Sequence, residues 1–249
     1  MRLASLGSGS KGNGTLIQCA DTTLLIDCGF SLAEFGRRMQ RLELEPGAID
    51  AILVTHEHGD HGAGVRRVAS HHDIPVYTTV GTARALELPD FIAVSGEQEF
   101  TIGDVEVQAV TVPHDAAEPV QFVFTDKAEQ RRFGLLTDSG RVTNHMVEAY
   151  DGLHGLLLEF NYDEDMLRNG PYPMSLKQRI SGGFGHLSNA QSMQLLDSID
   201  TGRLQCLVAA HLSEKNNTPE IVAGLLEQLE FPAAVQVACQ QQGFEWMQF

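Results

Sequence analysis

The chain has 249 residues, of which 43% are hydrophobic and 20% charged, a balance that excludes disorder, collagen-like repeats and coiled coil. Acidic residues outnumber basic ones 33 to 17, for a net charge of −16, which argues against charge-driven attachment to a phosphate backbone or an anionic membrane, although bound divalent cations can reverse the field at one site. No apolar run reaches the roughly 18–20 residues of a membrane span. The opening Met1-Arg2-Leu3-Ala4-Ser5-Leu6-Gly7-Ser8 meets Gly and Ser before any signal core forms, so no membrane partner and a cytoplasmic location are expected. The four cysteines (Cys19, Cys28, Cys206, Cys239) form no C-x-x-C motif and read as reduced thiols. No linker-like stretch divides residues 1–249, which are expected to form a single domain.

Short β-type runs dominate the first half. Segments 15–19 and 24–27, joined through Asp21-Thr22, read as a hairpin. A helix is expected over 31–42, where apolar residues at 32, 35, 39 and 42 form one stripe, closed by Pro46-Gly47. Runs 51–55 and 75–79 follow, then 105–112 and 120–125 after the turn Gly103-Asp104, all rich in Val, Ile, Leu, Thr and Phe. Two further strands are expected over 133–137 and 155–160. The pair Ser188 and Gln191 forms a capping box that opens a helix to about residue 199. A strand over 204–209 separates it from a last helix over 221–229, which starts at Thr218-Pro219-Glu220. Strands with helices mixed through both halves predict an α/β protein whose sheets are covered by helices.

The densest chemistry lies in Thr55-His56-Glu57-His58-Gly59-Asp60-His61, directly after the run 51–54. A regular strand would send alternate side chains to opposite faces. A turn leaving the strand lets His56 and His58 face one cation while Asp60 and His61 face another. Imidazole and carboxylate together suit zinc, manganese or iron. The plainer reading, a surface loop rich in histidine, leaves this alternation of donor types unexplained.

The loop resembles, at every position, the H-x-H-x-D-H signature of the metallo-β-lactamase superfamily. Four further motifs follow that family's order: Asp27 in Leu24-Leu25-Ile26-Asp27-Cys28-Gly29, His114 in Val112-Pro113-His114-Asp115, Asp138 in Leu135-Leu136-Thr137-Asp138-Ser139-Gly140, and His211 in Val208-Ala209-Ala210-His211. The resemblance implies an αββα sandwich and two divalent cations, zinc or manganese first and iron also compatible. It implies one cation on His56, His58 and His114, a second on Asp60, His61 and His211, with Asp138 bridging them and Asp27 bracing the loop. Taken singly, His114 reads equally as a hydrogen-bonded loop histidine, Asp138 as a turn residue, His211 as a core histidine and Asp27 as a turn cap.

The fold hosts many chemistries. Aspartate at position 138, where common β-lactamases of the family carry cysteine, speaks against antibiotic hydrolysis. Histidine at position 58, where oxygen-reactive relatives carry glutamate, speaks against redox chemistry. The stretch Gly185-His186-Leu187-Ser188-Asn189, with His211-Leu212-Ser213-Glu214-Lys215-Asn216-Asn217, Glu159-Phe160-Asn161-Tyr162-Asp163 and the glycine-rich opening, is similar to the YycJ/WalJ-type branch. That resemblance implies a phosphodiesterase-like hydrolase acting on DNA or another phosphodiester as an exonuclease, with Asp60 and His186 catalytic. Ser188, Asn189, Ser213 and Asn217 are expected to contact substrate. Alternatives from other classes are a thioester hydrolase, whose thiolate leaves without an acid such as His186, and a non-catalytic metal-bound regulatory protein. The glycine-rich stretch 7–14 is no phosphate-binding loop, because Lys11 precedes Gly12 and β-type sequence; a flexible hairpin near the site is expected. Arg168, Lys177 and Arg179, in a stretch free of acids, and the pairs Arg66-Arg67 and Arg131-Arg132 are candidates for a basic groove.

Overall fold

The computed structural model describes residues 1–229 and 233–249. The chain opens with strands β1 (Arg2–Gly7), β2 (Gly14–Cys19) and β3 (Thr22–Ile26), then helix α1 (Leu32–Arg41) and strand β4 (Ala51–Leu53). Helices α2 (Gly59–Gly62) and α3 (Val65–His72), strand β5 (Val76–Thr78), helix α4 (Val80–Ala85) and strand β6 (Ile92–Ala93) complete the first half. Strands β7 (Glu99–Ile102), β8 (Val105–Thr111), β9 (Val120–Asp126) and β10 (Arg132–Leu136) lead to helix α5 (Asn144–Ala149) and strand β11 (Gly155–Glu159). Three helices follow, α6 (Glu164–Asn169), α7 (Met174–Ile180) and α8 (Asn189–Ser198), then β12 (Cys206–Ala210), α9 (Pro219–Leu226), β13 (Ala234–Val237) and β14 (Phe244–Gln248).

The strands form two seven-stranded sheets, ordered β14-β1-β2-β3-β4-β5-β6 and β13-β12-β11-β10-β9-β8-β7. Period-two alternation decides what each face buries. In β3 and β4, Leu24, Ile26, Ala51 and Leu53 point to the layer between the sheets, while Leu25 and Ile52 point outward against Phe35, Met39, Val65 and Val68 of α1 and α3. In β11 and β12, Leu157 and Val208 point inward, while Leu156, Leu158 and Leu207 meet Met146, Leu195 and Val222 of α5, α8 and α9. The result is four layers, helix on sheet on sheet on helix, in which both sheets are covered on both faces.

Local chemistry sets the ends. Ser31 caps α1 by accepting from Glu34 N, and Ser188 with Gln191 makes the full capping box of α8. The turn between β7 and β8 is Gly103-Asp104, with Gly103 at φ +52, a conformation glycine adopts at no steric cost. The first hairpin turns one residue earlier than its sequence suggests, through Ala20-Asp21. The glycine-rich stretch 7–14 joins β1 to β2 and is tied down: Gln240 Nε2 donates to Gly12 O at 2.8 Å and its Oε1 accepts from Lys11 N at 2.7 Å.

Candidate metal centre

Strands β3 and β4 are parallel, as are β10, β11 and β12, and β8 runs the same way as β10 through the antiparallel β9 between them. Their carboxyl ends therefore deliver Asp27, His56, His114, Asp138, Glu159 and His211 to one rim of the sandwich. Asp27, Asp138 and His211 take left-handed backbone there, at φ +61, +52 and +56. Such conformations are uncommon outside glycine and concentrate at functional sites.

Asp27 organises the histidine loop. Its Oδ1 accepts from Thr55 N and its Oδ2 from Thr55 Oγ1, both at 2.8 Å, and Oδ2 also accepts from His61 Nδ1 at 2.7 Å. Because the Thr55 hydroxyl proton goes to Asp27, its oxygen accepts from His56 Nδ1 at 3.0 Å. Both rings are thereby set with Nε2 facing the centre. His114 Nδ1 donates to Gly185 O at 2.9 Å, leaving its Nε2 3.2 Å from His58 Nδ1. His211 Nδ1 lies 3.0 Å from Glu159 Oε1, and its Nε2 lies 3.4 Å from Asp60 Oδ2.

Two triads result, His56, His58 and His114 in one and Asp60, His61 and His211 in the other, each with donor atoms within 4.8 Å of one another. Asp138 lies between them, its Oδ2 3.0 Å from His61 Nε2 and its Oδ1 3.9 Å from His114 Nε2. His56 Nε2 is fully buried yet has no hydrogen-bond partner, and the equally buried Asp138 Oδ2 has only the His61 ring nitrogen beside it. A buried polar atom left unpaired is costly, and imidazole nitrogens converging with carboxylate oxygens are the donor set of a divalent cation. The residues present fit such an ion.

Electrostatics follow the same layout. Burial, with help from His61, holds His56 well below the usual imidazole range. Burial would also lower His61 and His211, but the surrounding carboxylates outweigh it: Asp138 and Asp27 raise His61, and Asp138, Asp60 and Glu159 raise His211 to about 10. Burial would raise Asp138, yet the neighbouring histidines, His211 and His61 first, hold it well below the carboxylate range.

A family model for the β-lactamase superfamily domain matches residues 22–208. The chain belongs to the β-lactamase superfamily. It is 35% identical over 243 residues to exodeoxyribonuclease YycJ of Bacillus anthracis, covering 93% of this chain and 91% of that one, and 33% identical over 225 residues to exodeoxyribonuclease WalJ of Streptococcus pneumoniae, covering 87% and 83%. Among solved structures, the metallo-β-lactamase fold protein YhfI of Bacillus subtilis superposes with a TM-score of 0.75 at 16% identity, covering 99% of each chain. This superfamily member is thus a hydrolase of the YycJ/WalJ branch, with a fold that implies divalent metal binding.

The superfamily site opens into a cavity of about 380 Å³, bordered by His58, Asp60, Asp138, Arg179, His186 and His211 among others. His186, just ahead of α8, keeps 22% of its side chain exposed. Glu159, which in the sequence only heads a branch-like stretch, is the residue to which motif reading gave no role. It is fully buried at the end of Gly155-Leu156-Leu157-Leu158-Glu159, and its carboxylate accepts from His186 Nδ1 at 2.9 Å, Leu187 N at 2.9 Å and Ser139 N at 3.3 Å as well as from His211. The signal was an acid closing an apolar strand, as the other strand-end aspartates and histidines do. Asn13, also missed, holds the glycine-rich stretch to the metal loop, its backbone N–H donating to Asp60 O at 2.7 Å.

Three of the four expected substrate contacts turn inward. Ser188 is buried as the cap of α8, and Asn189 and Asn217 are buried against each other, with Asn217 Nδ2 donating to Phe160 O at 2.7 Å. Only Ser213 borders the cavity. The basic groove is likewise reduced to Arg179, whose Nε donates to Asp115 Oδ2 at 2.6 Å. Arg132 instead donates to Asp151 O and Ala149 O, Arg168 pairs with Asp165, and Lys177 Nζ donates to Arg168 O.

Proposed function

We propose that this chain is a metal-dependent phosphodiesterase that degrades DNA as an exonuclease. His56, His58 and His114 would hold one divalent cation, Asp60, His61 and His211 a second, and Asp138 would be shared between them, with zinc or manganese as the ions. Bound there, the cations supply Lewis acidity, offsetting charge on the phosphate and lowering the pKa of a water to near neutrality. The exodeoxyribonuclease relatives, 35% and 33% identical over most of their length, support DNA as the substrate.

The observation that carries this reading is the pairing of His186 with buried Glu159 at the cavity wall. Glu159 accepts a hydrogen bond from Nδ1–H, so Nε2 is the nitrogen left to serve a substrate. Burial alone would lower the His186 pKa, but Glu159 and Asp138 outweigh it and hold it above 6.5. His186, backed by the Glu159 carboxylate, would give its Nε2 proton to the departing oxygen of the diester. An alkoxide is a poor leaving group and needs this acid. A thiolate does not, which leaves the thioester reading with no task for the pair.

The test is digestion of end-labelled single- and double-stranded DNA with Mn²⁺, Zn²⁺ or chelator. Progressive shortening is expected with metal and none with chelator. His186→Ala should lower kcat by roughly 10²–10⁴-fold while retaining bound metal. Full activity in that variant, or in chelator, would overturn the reading.

A further inference from the structure

We propose that Phe184 is a stacking platform for a nucleobase beside the scissile phosphate, a proposal that rests on the nuclease reading above. Among the described residues Phe184 is the only Phe, Tyr or Trp that is exposed, at 58%, and it joins none of the three apolar cores. It stands two residues before His186, in Gly182-Gly183-Phe184-Gly185-His186.

The backbone that carries this ring is pinned to the centre. Asp115 N donates to Phe184 O at 2.9 Å, and His114 Nδ1 donates to Gly185 O at 2.9 Å. On the far side, Gly185 N reaches Gly182 O and His186 N reaches Ile180 O, both at 2.9 Å. The turn lies so close on Asp138-Ser139-Gly140 that a Cβ at Gly140 would overlap the backbone from Gly183 to Gly185, and one at Gly185 would overlap Ile180 O. An exposed apolar ring is thus carried on a turn whose backbone is fixed against Asp115 and Gly140 and runs on into the cavity-lining Gly185 and His186. The Arg141 guanidinium stands 5.7 Å from the ring centroid, the cation–π arrangement that also suits a stacked base and its phosphate.

Charge chooses the occupant. The chain carries −16, and the one arginine bordering the cavity is paired with Asp115, so ionic contacts alone give a DNA strand little purchase. Base–aromatic stacking supplies affinity that needs no positive field and tolerates any sequence. It requires an exposed flat ring near the mouth of the site, the part assigned here to Phe184.

The experiment compares wild type, Phe184→Ala and Phe184→Trp, metal-loaded, on a single-stranded oligonucleotide and on the same strand with abasic residues at its terminal positions. Phe184→Ala should raise KM for the intact strand by roughly 5- to 100-fold with kcat at saturation nearly unchanged, and Phe184→Trp should restore it. Abasic ends should penalise wild type and add nothing to the alanine variant. An unchanged KM in Phe184→Ala, an abasic penalty that persists without the ring, or a loss confined to kcat would each overturn the stacking role while the nuclease reading stands. Wild-type protein that leaves all DNA intact with metal present would overturn the nuclease reading, and the stacking role with it.

Discussion

Glu159 Oε1 lies 2.9 Å from His186 Nδ1, and the same oxygen lies 3.0 Å from His211 Nδ1. One buried carboxylate therefore orients both an imidazole of the candidate metal centre and the imidazole at the cavity wall. Burial would raise the pKa of Glu159, but His186 and His211 outweigh it and keep the group below the ordinary glutamate range, so it stays charged. Glu159→Gln keeps the shape and removes the charge. The amide no longer favours an imidazolium at His186, so the alkaline limb of the kcat profile should move to lower pH, with kcat reduced by roughly 10- to 100-fold and metal affinity by a similar factor. A pH profile superimposable on wild type would show that the carboxylate does no more than fill space.

The metal-free protein should respond to pH through the same residues. The folded pKa of His211, about 10, stands above its ordinary 6.5, so its contribution to stability is complete below 6.5 and is lost as the pH rises through 10. Asp138 is held far below its ordinary 3.8, so its contribution is present above 3.8 and fades as the pH falls. Urea melts of chelated protein should therefore show their highest midpoint between these limits. Cation binding needs the Nε2 lone pair of His211, so loading near neutrality releases protons, and affinity should rise by up to roughly tenfold per pH unit for each proton released. Calorimetry of Zn²⁺ loading in buffers of different ionisation enthalpy measures that release; no buffer dependence would contradict it.

Backbone contacts, not only side chains, set the loop that carries Asp60. Gly29 N donates to Asn13 O at 3.0 Å, and Cys28 N donates to His61 O at 2.7 Å. A Cβ at Gly29 would overlap Asp60 O and crowd Gly12 Cα, whereas a Cβ at Gly36 in α1 meets nothing within 4 Å. Gly29→Ala should destabilise the fold by about 1–3 kcal/mol and weaken binding of the cation that uses Asp60. Gly36→Ala should stabilise by about 0.5–1 kcal/mol through helix propensity. Denaturant midpoints and metal titrations of the two variants distinguish the effects, and equal midpoints would refute this account of Gly29.

The sandwich was legible because its strands are two-sided. Runs such as 105–112 and 155–160 announce themselves by composition, and the observed strands Val105–Thr111 and Gly155–Glu159 differ by one residue at most. Strand β1 was not legible. Arg2-Leu3-Ala4-Ser5-Leu6-Gly7 mixes small and polar residues that become buried only once β2 and β14 flank it. Helices α6 and α7 escaped for a related reason: α7 buries no residue fully, so the segment carries no strong apolar stripe. At the site, His56, His58, Asp60 and His61 stand out because four donors crowd six residues, whereas His114, Asp138 and His211 stand out only through the family resemblance. Glu159 headed a branch-like stretch but was given no role, since an acid ending an apolar run looks like an ordinary strand terminus. Ser188, Asn189 and Asn217 are polar residues near the motifs whose burial the sequence did not reveal, their hydrogen bonds being made to helix caps, backbone and each other.

The scarcity of free positive charge at the cavity gives the last expectation. Arg179 is neutralised by Asp115, and Lys11 on the glycine-rich stretch pairs with Glu214 at 2.7 Å. Few counterions can be displaced from a bound strand when few side chains meet its phosphates. The slope of log affinity against log salt for single-stranded DNA is about −0.7 per phosphate contact, so two or three contacts predict a slope of roughly −1.5 to −2. Stacking on Phe184 adds affinity that salt does not screen, so Phe184→Ala should weaken binding while leaving that slope unchanged. A Ca²⁺-loaded binding series by fluorescence anisotropy across salt concentrations measures both. A slope near that of about eight contacts would mean that a positive groove exists elsewhere on the surface and that the cavity rim is not what holds the strand.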